Sequence, residues 1–234
     1  MLLAEKLARS GNLLFRWRSY LPLLFLTVLV PALGQFSYPN GSHLDDLAWE
    51  LVCFLISLTG LAVRCVTVAH VPNGTSGRNT KSQEAKSLNT TGMYSITRNP
   101  LYFGNFLVGA GFSMFLRLWW VSFIYALAFW LYYERIIMAE EKFLLAKFGD
   151  AYRDYARRVP IFVPRLRLWQ PPSLPCSIKA VVRREYSTLF MIVAVFTTLD
   201  VLTDFAVAHK FVFDRFWTTM LLINAVLYLL IRLV

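Results

Sequence analysis

Two short polar segments stand at the edges of long apolar runs, and the first could bind a small anion. It runs from Arg98 to Gly104, with Asn99 as a suitable cap and Pro100 as a suitable first residue of a helix. Such a helix start presents backbone N–H groups and a partial positive charge, which suit a carboxylate. Gly104 would let a ligand or a second backbone approach closely. A plain capped helix is the alternative interpretation.

The second polar segment contains two adjacent glutamates, Glu140 and Glu141, followed by a glycine and two tyrosines. Adjacent residues do not share one helix face, so one glutamate could face the interior while the other meets solvent or an arginine. Gly149 predicts a helix end. The three-residue spacing of Tyr152 and Tyr155 places both on one side of the next helix. These carboxylates could bind an ammonium group or ribose hydroxyls, although a solvated helix end and an interfacial tyrosine belt are alternatives.

The composition indicates a membrane protein. The chain has 234 residues, of which 57% are hydrophobic, a mean hydropathy of +0.50 and a formal net charge of +10. Its basic residues lie between long apolar runs, which favours a membrane surface over nucleic acid as the reason for the charge. The three cysteines form no CxxC or His-paired pattern, so neither a disulfide framework nor a metal site is predicted.

The apolar runs predict an all-α, polytopic membrane bundle of about six transmembrane helices with a cytosolic-side cofactor pocket. The expected spans are residues 20–37, 47–70, 101–115, 118–137, 188–208 and 216–233. Lysine and arginine concentrate in the N-terminal arm and in residues 71–98 and 134–185, so we expect both termini and both polar segments to be cytosolic, at a bacterial inner membrane. We divide the chain into an arm with the first span (1–43), a core (44–168), and a Pro-rich linker with a C-terminal helix pair (169–234).

The motif order resembles the isoprenylcysteine carboxyl methyltransferase family, which is related to membrane phospholipid methyltransferases. The order is R-[HN]-P-x-Y-x-G, an apolar hairpin, then E-E-x-x-L-x-x-x-F-G-x-x-Y-x-x-Y-x-x-x-V-P, over roughly residues 89–164. The resemblance implies a site that takes S-adenosylmethionine from the cytosol and a lipid from the bilayer. It also implies that nine residues bind the cofactor: Tyr94, Asn99, Pro100, Tyr102, Gly104, Glu140, Glu141, Tyr152 and Tyr155.

The reacting groups are predicted to be Arg98, Glu141 and Arg158, with Arg64, Arg78 and Lys81 binding the acceptor. Methyl transfer mainly requires alignment of the two reactants and exclusion of water. The chain has only three histidines and is poor in bases, unless a glutamate serves as one. We therefore expect O-methylation of an anionic lipid group held by arginine or lysine, such as a lipid A phosphate or a carboxylate. The family often has histidine where this chain has Asn99, which cannot carry charge.

Two other functions fit the same segments. A membrane sterol or isoprenoid reductase would bind NADPH, although the chain lacks the extra basic set expected for a nucleotide phosphate. A non-catalytic lipid-binding or chaperone-like membrane protein would bind neither cofactor. A channel or transporter is disfavoured, since the spans show no ionisable pathway and no inverted repeat. Cofactor binding separates these alternatives, and the sequence does not predict an oligomeric state.

Overall fold

The computed structural model describes residues 14, 26–38, 43–72 and 87–233. The described residues contain eight α-helices, one short 3-10 helix at Leu166–Leu168, and no strand, which confirms the all-α prediction. The helices are α1 (Leu26–Leu33), α2 (His43–Ala69), α3 (Met93–Ile96), α4 (Pro100–Met114), α5 (Trp119–Phe148), α6 (Asp150–Arg158), α7 (Ile178–Ala208) and α8 (Arg215–Leu233).

Four of these helices contain stretches that are long and apolar enough to cross a membrane. They are Asp46–Ala69 in α2, Trp119–Phe148 (α5), Ile178–Ala208 (α7) and Arg215–Leu233 (α8). The chain is therefore an all-helical membrane protein, but the count of six spans stays a prediction. Helix α4 has only 15 residues, fewer than the roughly 20 that a spanning helix needs. The expected first span, residues 20–37, begins outside the described residues. Its described part contains α1.

Helices α2 and α4 pack through their glycines. A Cβ atom added to Gly60 of α2 would lie 2.5 Å from the carbonyl oxygen of Gly104. One added to Gly111 of α4 would lie 2.1 Å from Ser57 Oγ and 2.4 Å from the carbonyl oxygen of Cys53. The two backbones therefore touch directly, as small residues allow between membrane helices. The order of these contacts makes the two helices antiparallel.

The C-terminal pair α7–α8 packs on α2 through aromatic rings. Phe196 of α7 stacks on Trp217 of α8 with ring centroids 5.4 Å apart, and Phe54 of α2 meets both rings edge-on. Trp217 also donates a 2.7 Å hydrogen bond from Nε1 to Glu50 Oε2. This cluster lies at the end of α2 that is remote from the polar segments. Because its rings are almost completely buried, it holds the pair firmly against the core.

The segment that follows α6 wraps around α3 and the start of α4. Backbone hydrogen bonds join Arg98 N to the oxygen of Pro160 (2.9 Å) and Arg165 N to the oxygen of Ile96 (2.9 Å). A third, of 3.0 Å, joins Gly92 N to the oxygen of Gln170. The Pro-rich stretch after Gln170 is not helical, as its prolines predict. These bonds fix the backbone on which the first polar segment is built.

Candidate functional site

An arginine of the first polar segment and a glutamate of the second form an ion pair at one end of the bundle. Arg98 Nη1 lies 2.8 Å from Glu141 Oε1, with the side chains 11% and 30% exposed. Among the described residues, buried Arg98 Nε and Glu141 Oε1 nevertheless have no partner in hydrogen-bond geometry. Arg98 Nε therefore retains hydrogen-bonding capacity for a further group.

Tyr152 of α6 lies beside this pair. Its side chain is buried and interacts with both Arg98 and Glu141. Burial is the main cause that raises the pKa of the Tyr152 phenol; the negative charge of Glu141 raises this pKa further, and Arg98 lowers it. The phenol is consequently neutral near pH 7, and it can donate a hydrogen bond but does not serve as an anionic base there.

Tyr155 makes a hydrogen bond to the backbone. Its hydroxyl donates a 2.8 Å hydrogen bond to the carbonyl oxygen of Tyr94, and its ring lies 6.1 Å from that of Tyr152. The shared side predicted for the two tyrosines is therefore present. Burial, followed by the neighbouring Tyr94 and Tyr152, raises the pKa of the Tyr155 phenol. The hydrogen bond from Tyr155 joins α6 to α3, so in this structure its hydroxyl serves the fold.

The second glutamate, Glu140, points to another partner. Its Oε1 accepts a 2.7 Å hydrogen bond from the hydroxyl of Tyr102 on α4. The ring of Tyr102 lies 4.6 Å from that of Tyr133 on α5. The two adjacent glutamates therefore diverge, one toward an arginine and one toward a tyrosine pair. Gly149 ends α5 as predicted, with a φ of +55° that favours glycine.

The start of α4 matches the prediction in its backbone but not in its cap. Pro100 occupies the first turn and Asn99 the cap position, yet the Asn99 side chain makes no capping hydrogen bond. Its Nδ2 donates instead to the carbonyl oxygen of Ile161 at 3.0 Å. Asn99 therefore fastens the segment after α6, and a ligand carboxylate would have to compete for this donor.

At Gly104, the close approach that the sequence predicts is made by a second helix. A Cβ atom there would lie 2.6 Å from Arg64 Cγ and 2.8 Å from the carbonyl oxygen of Gly60. The close approach that glycine allows is therefore taken up by α2, whose Arg64 stem lies over Gly104. The sequence could not distinguish a helix from a ligand as the neighbouring group.

Arg64 itself is held in a polar network. Its guanidinium makes two hydrogen bonds to Glu185 of α7, of 2.8 and 2.9 Å, and donates from Nη1 to Asn105 Oδ1. Asn105 Nδ2 in turn donates to the hydroxyl of Tyr133 at 3.1 Å. Sequence reasoning missed Glu185, Asn105 and Tyr133. The available signal was helical spacing, because Asn105 lies three residues after Tyr102 and on the same side of α4.

Residues 51–151, from α2 to the start of α6, match the phospholipid methyltransferase family. This segment contains the first polar segment, both glutamates and the packed pair α2–α4. This part of the chain is similar to the phospholipid methyltransferase family.

Proteins similar to this chain include two metal-resistance proteins and one methyltransferase. The nickel-cobalt-cadmium resistance protein NccN of Alcaligenes xylosoxydans xylosoxydans is 34% identical over 53% of this chain and 58% of its own length. The cobalt-zinc-cadmium resistance protein CzcN of Cupriavidus metallidurans is 40% identical over 37% of this chain and 40% of its own. Protein-S-isoprenylcysteine O-methyltransferase of Saccharomyces cerevisiae is 32% identical over 62% and 59%, respectively.

The chain thus spans about 40 to 60% of the length of these relatives. No solved structure matches it. Despite the two metal-resistance names, the described ranges contain no group of three or more His, Cys, Asp or Glu side chains that could hold a metal ion.

Of the remaining predicted residues, Arg158 is described, and the structure does not bring it to the Arg98–Glu141 pair. Arg158 is exposed, and its Nε donates a 3.2 Å hydrogen bond to the carbonyl oxygen of Asp154 within α6. This placement gives no support to the predicted reacting role of Arg158. Arg78 and Lys81 lie outside the described residues.

Proposed function

We propose that this chain transfers a methyl group from S-adenosylmethionine to a lipid acceptor within the membrane. The observation that carries the proposal is the Arg98–Glu141 ion pair, which places a buried arginine Nε without a hydrogen-bond partner at one end of an apolar bundle. A buried donor without a partner costs stability, so a ligand that accepts from Arg98 Nε would be bound favourably. The match to the phospholipid methyltransferase family supports a methyl donor as that ligand.

The chemistry of the side chains fits this cofactor. Its amino acid part carries a carboxylate and an ammonium group, which suit Arg98 and Glu141, respectively. Tyr152 would donate a hydrogen bond beside them, and Glu140 with Tyr102 would take the ribose hydroxyls. When bound, the cofactor supplies an electrophilic methyl group on a positively charged sulfur.

The residues of the chain contribute mainly orientation and exclusion of water. Tyr152 and Tyr155 are both buried and form a cluster with Val159, against which Leu144 and Phe148 pack. Helix α6 therefore covers the Arg98–Glu141 pair with apolar rings. This cover would keep water from the reacting methyl group, which is the protection that such a transfer requires.

The acceptor, we further propose, is an oxygen anion. An acceptor that must lose a proton needs a base, and two of the histidines are at the wrong end of the bundle to act as one. His43 begins α2 and His209 caps the end of α7 that is remote from Glu185 and Arg64. His70 Nδ1 contacts the carbonyl oxygen of Val66 at 3.0 Å. An amine acceptor must lose a proton, whereas a lipid phosphate or carboxylate is already charged. The name of the yeast relative, an O-methyltransferase, also favours oxygen.

The arginines constrain how such an anion would be held. Arg64 is paired with Glu185 and Arg98 with Glu141, so an anionic headgroup would share these cations with carboxylates. A phosphate and a carboxylate acceptor present the same charge chemistry to the site. Vesicles of a phosphate-terminated lipid and of a fatty acid, each supplied with radiolabelled methyl donor, would distinguish them by which lipid becomes labelled.

Calorimetry on the detergent-purified chain tests the function, with S-adenosylmethionine, its demethylated product and NADPH as ligands. Micromolar binding of the methyl donor or product, lost in Glu141→Ala and weakened in Tyr102→Phe, is expected. Binding of NADPH alone would assign the chain to the reductases. Binding of none of the three would favour a non-catalytic lipid-binding protein.

We also propose that the site faces the cytosol, with both termini on the same side. Cys176 is exposed just before α7, whose first turns carry Glu185, so it reports on the site end of the bundle. A membrane-impermeant maleimide should label Cys176 in inverted bacterial inner-membrane vesicles but not in intact spheroplasts. The reverse pattern would overturn this orientation, and Cys176→Ser is the control for labelling of the other cysteines.

A further inference from the structure

The C-terminal helix pair lies beyond residues 51–151, the part that matches the family, yet one of its side chains reaches into the core. Glu185 of α7 is almost fully buried and accepts two hydrogen bonds from Arg64 of α2, Nε to Oε2 at 2.8 Å and Nη2 to Oε1 at 2.9 Å. Paired hydrogen bonds of this kind fix the guanidinium plane as well as its position. Glu185 therefore determines where Arg64 points.

From Arg64 the network continues toward the site. Asn105 accepts from Arg64 through Oδ1 and donates from Nδ2 to the hydroxyl of Tyr133 at 3.1 Å, so both ends of its amide are engaged. The ring of Tyr133 lies 4.6 Å from Tyr102, whose hydroxyl donates to Glu140 at 2.7 Å. The network thus links α7 to α5 through α2 and α4.

We propose that Glu185 is a positioning residue for the cofactor end of this site. It holds Arg64, Arg64 holds Asn105, and Asn105 sets the hydroxyl of Tyr133 and, through ring contact, the tyrosine that bonds Glu140. This inference rests on the function proposed above. The C-terminal helix pair, which lies outside the segment that matches the family, would thus contribute to the site.

A purely structural role for Glu185 is the competing explanation, since its pairing with Arg64 also fastens α7 to α2. The chain offers a matched control at the other end of the same helix pair. Trp217 Nε1 bonds Glu50 in a buried cluster that does not touch the network. Trp217→Phe keeps an aromatic ring and removes this donor, so it loosens the pair without altering Arg64.

The experiment measures binding of S-adenosylmethionine by calorimetry, and thermal unfolding, for the wild-type chain, Glu185→Gln, Asn105→Leu, their double variant and Trp217→Phe. Glu185→Gln should weaken binding on the order of tenfold. Trp217→Phe should lower the unfolding temperature but leave binding within about twofold. The double variant should bind about as well as the weaker single variant, because both substitutions break one network.

Each result bears on a definite claim. Additive losses in the double variant, or an unchanged affinity in Glu185→Gln, would overturn the positioning role and leave the proposed function standing. Equal losses of affinity in Trp217→Phe and Glu185→Gln would show that only attachment of the helix pair matters, which also overturns it. If the wild-type chain itself does not bind the methyl donor, the proposed function fails, and the positioning role fails with it.

Discussion

The hydroxyl of Tyr155 donates a 2.8 Å hydrogen bond to the backbone carbonyl of Tyr94, which joins α6 to the helical turn before Asn99. This bond connects the second polar segment to the helix just before the first one, independently of the Arg98–Glu141 ion pair. It explains why a tyrosine stands at this position, since a phenylalanine would fill the same volume but leave a buried carbonyl without its donor.

Tyr155→Phe should therefore destabilise the chain by about 1 kcal/mol, the usual net contribution of one such hydrogen bond. Because α6 covers the ion pair, binding of S-adenosylmethionine should also weaken several-fold. Thermal unfolding in detergent and calorimetry would measure the two effects. Tyr228→Phe, in α8, is the matched control because its ring packs on Phe190 and Tyr186 and should remain there. Equal destabilisation by both substitutions would contradict the importance of the Tyr155 bond.

Arg98→Lys should abolish detectable binding of the methyl donor, or weaken it at least tenfold. Lysine keeps the charge but lacks the second, fixed donor nitrogen that Arg98 presents as Nε, and the two side chains are not interchangeable at such a site. Calorimetry would measure the change. Arg158→Lys is the control, and it should bind like the wild type because Arg158 is exposed on α6. A loss confined to Arg158→Lys would restore the sequence-based assignment of that residue.

Gly104→Ala should destabilise the chain by about 1 to 3 kcal/mol through overpacking. The added methyl group would lie 2.6 Å from Arg64 Cγ and 2.8 Å from the carbonyl oxygen of Gly60, and the latter is backbone that cannot turn away. Gly34→Ala is a matched control, since its nearest neighbour is the carbonyl oxygen of Pro31 at an ordinary 3.6 Å. Thermal unfolding that is equally affected at both positions would argue against direct contact of the α2 and α4 backbones.

Alkaline pH should destabilise the folded chain through its buried tyrosines. Burial raises the pKa of the phenols of Tyr152, Tyr155 and Tyr94, whereas in the unfolded chain a tyrosine ionises near its usual pKa of about 10. Above that pH the unfolded state binds fewer protons than the folded state, so the free energy of unfolding falls as pH rises; below it, these groups contribute no slope.

Unfolding temperatures measured between about pH 8 and 11 test this dependence. Tyr152→Phe removes one of the buried phenols and should give a shallower decline above about pH 10. Superimposable pH profiles for this variant and the wild type would contradict a raised pKa at Tyr152. Tyr228→Phe again provides the control for loss of a hydroxyl elsewhere.

Local rules predicted the parts of the site that depend on neighbouring residues. Pro100 begins a helix, Gly149 ends one, and the spacing of Tyr152 and Tyr155 places both on one buried side. The divergence of Glu140 and Glu141 follows from helix geometry alone. Each of these features is fixed by a few residues in succession, which is why the sequence was sufficient.

The parts that the sequence could not predict depend on distant contacts. Arg64 and Glu185 are 121 residues apart, and no spacing rule joins them. The sequence predicted Arg64 to bind the acceptor, and it gave no sign that this side chain is only 18% exposed and paired with Glu185. Similarly, Asn99 had a suitable type for a cap, but the carbonyl of Ile161 competes for its amide. Such choices are decided by tertiary packing.

The shortness of α4 sets the level of the first polar segment relative to the end of α2. Gly104 lies against Gly60, and the helices are antiparallel, so Pro100 is about level with Arg64. Helix α2 continues beyond Arg64 to Ala69, a rise of about 8 Å. The polar start of α4 is thus recessed below the end of its neighbour. We expect this level to lie near the boundary between headgroups and acyl chains of a bilayer, whose hydrocarbon part is about 30 Å thick. A lipid can present its headgroup at that level while its tails remain in the bilayer, and a water-soluble headgroup alone would lose this anchoring.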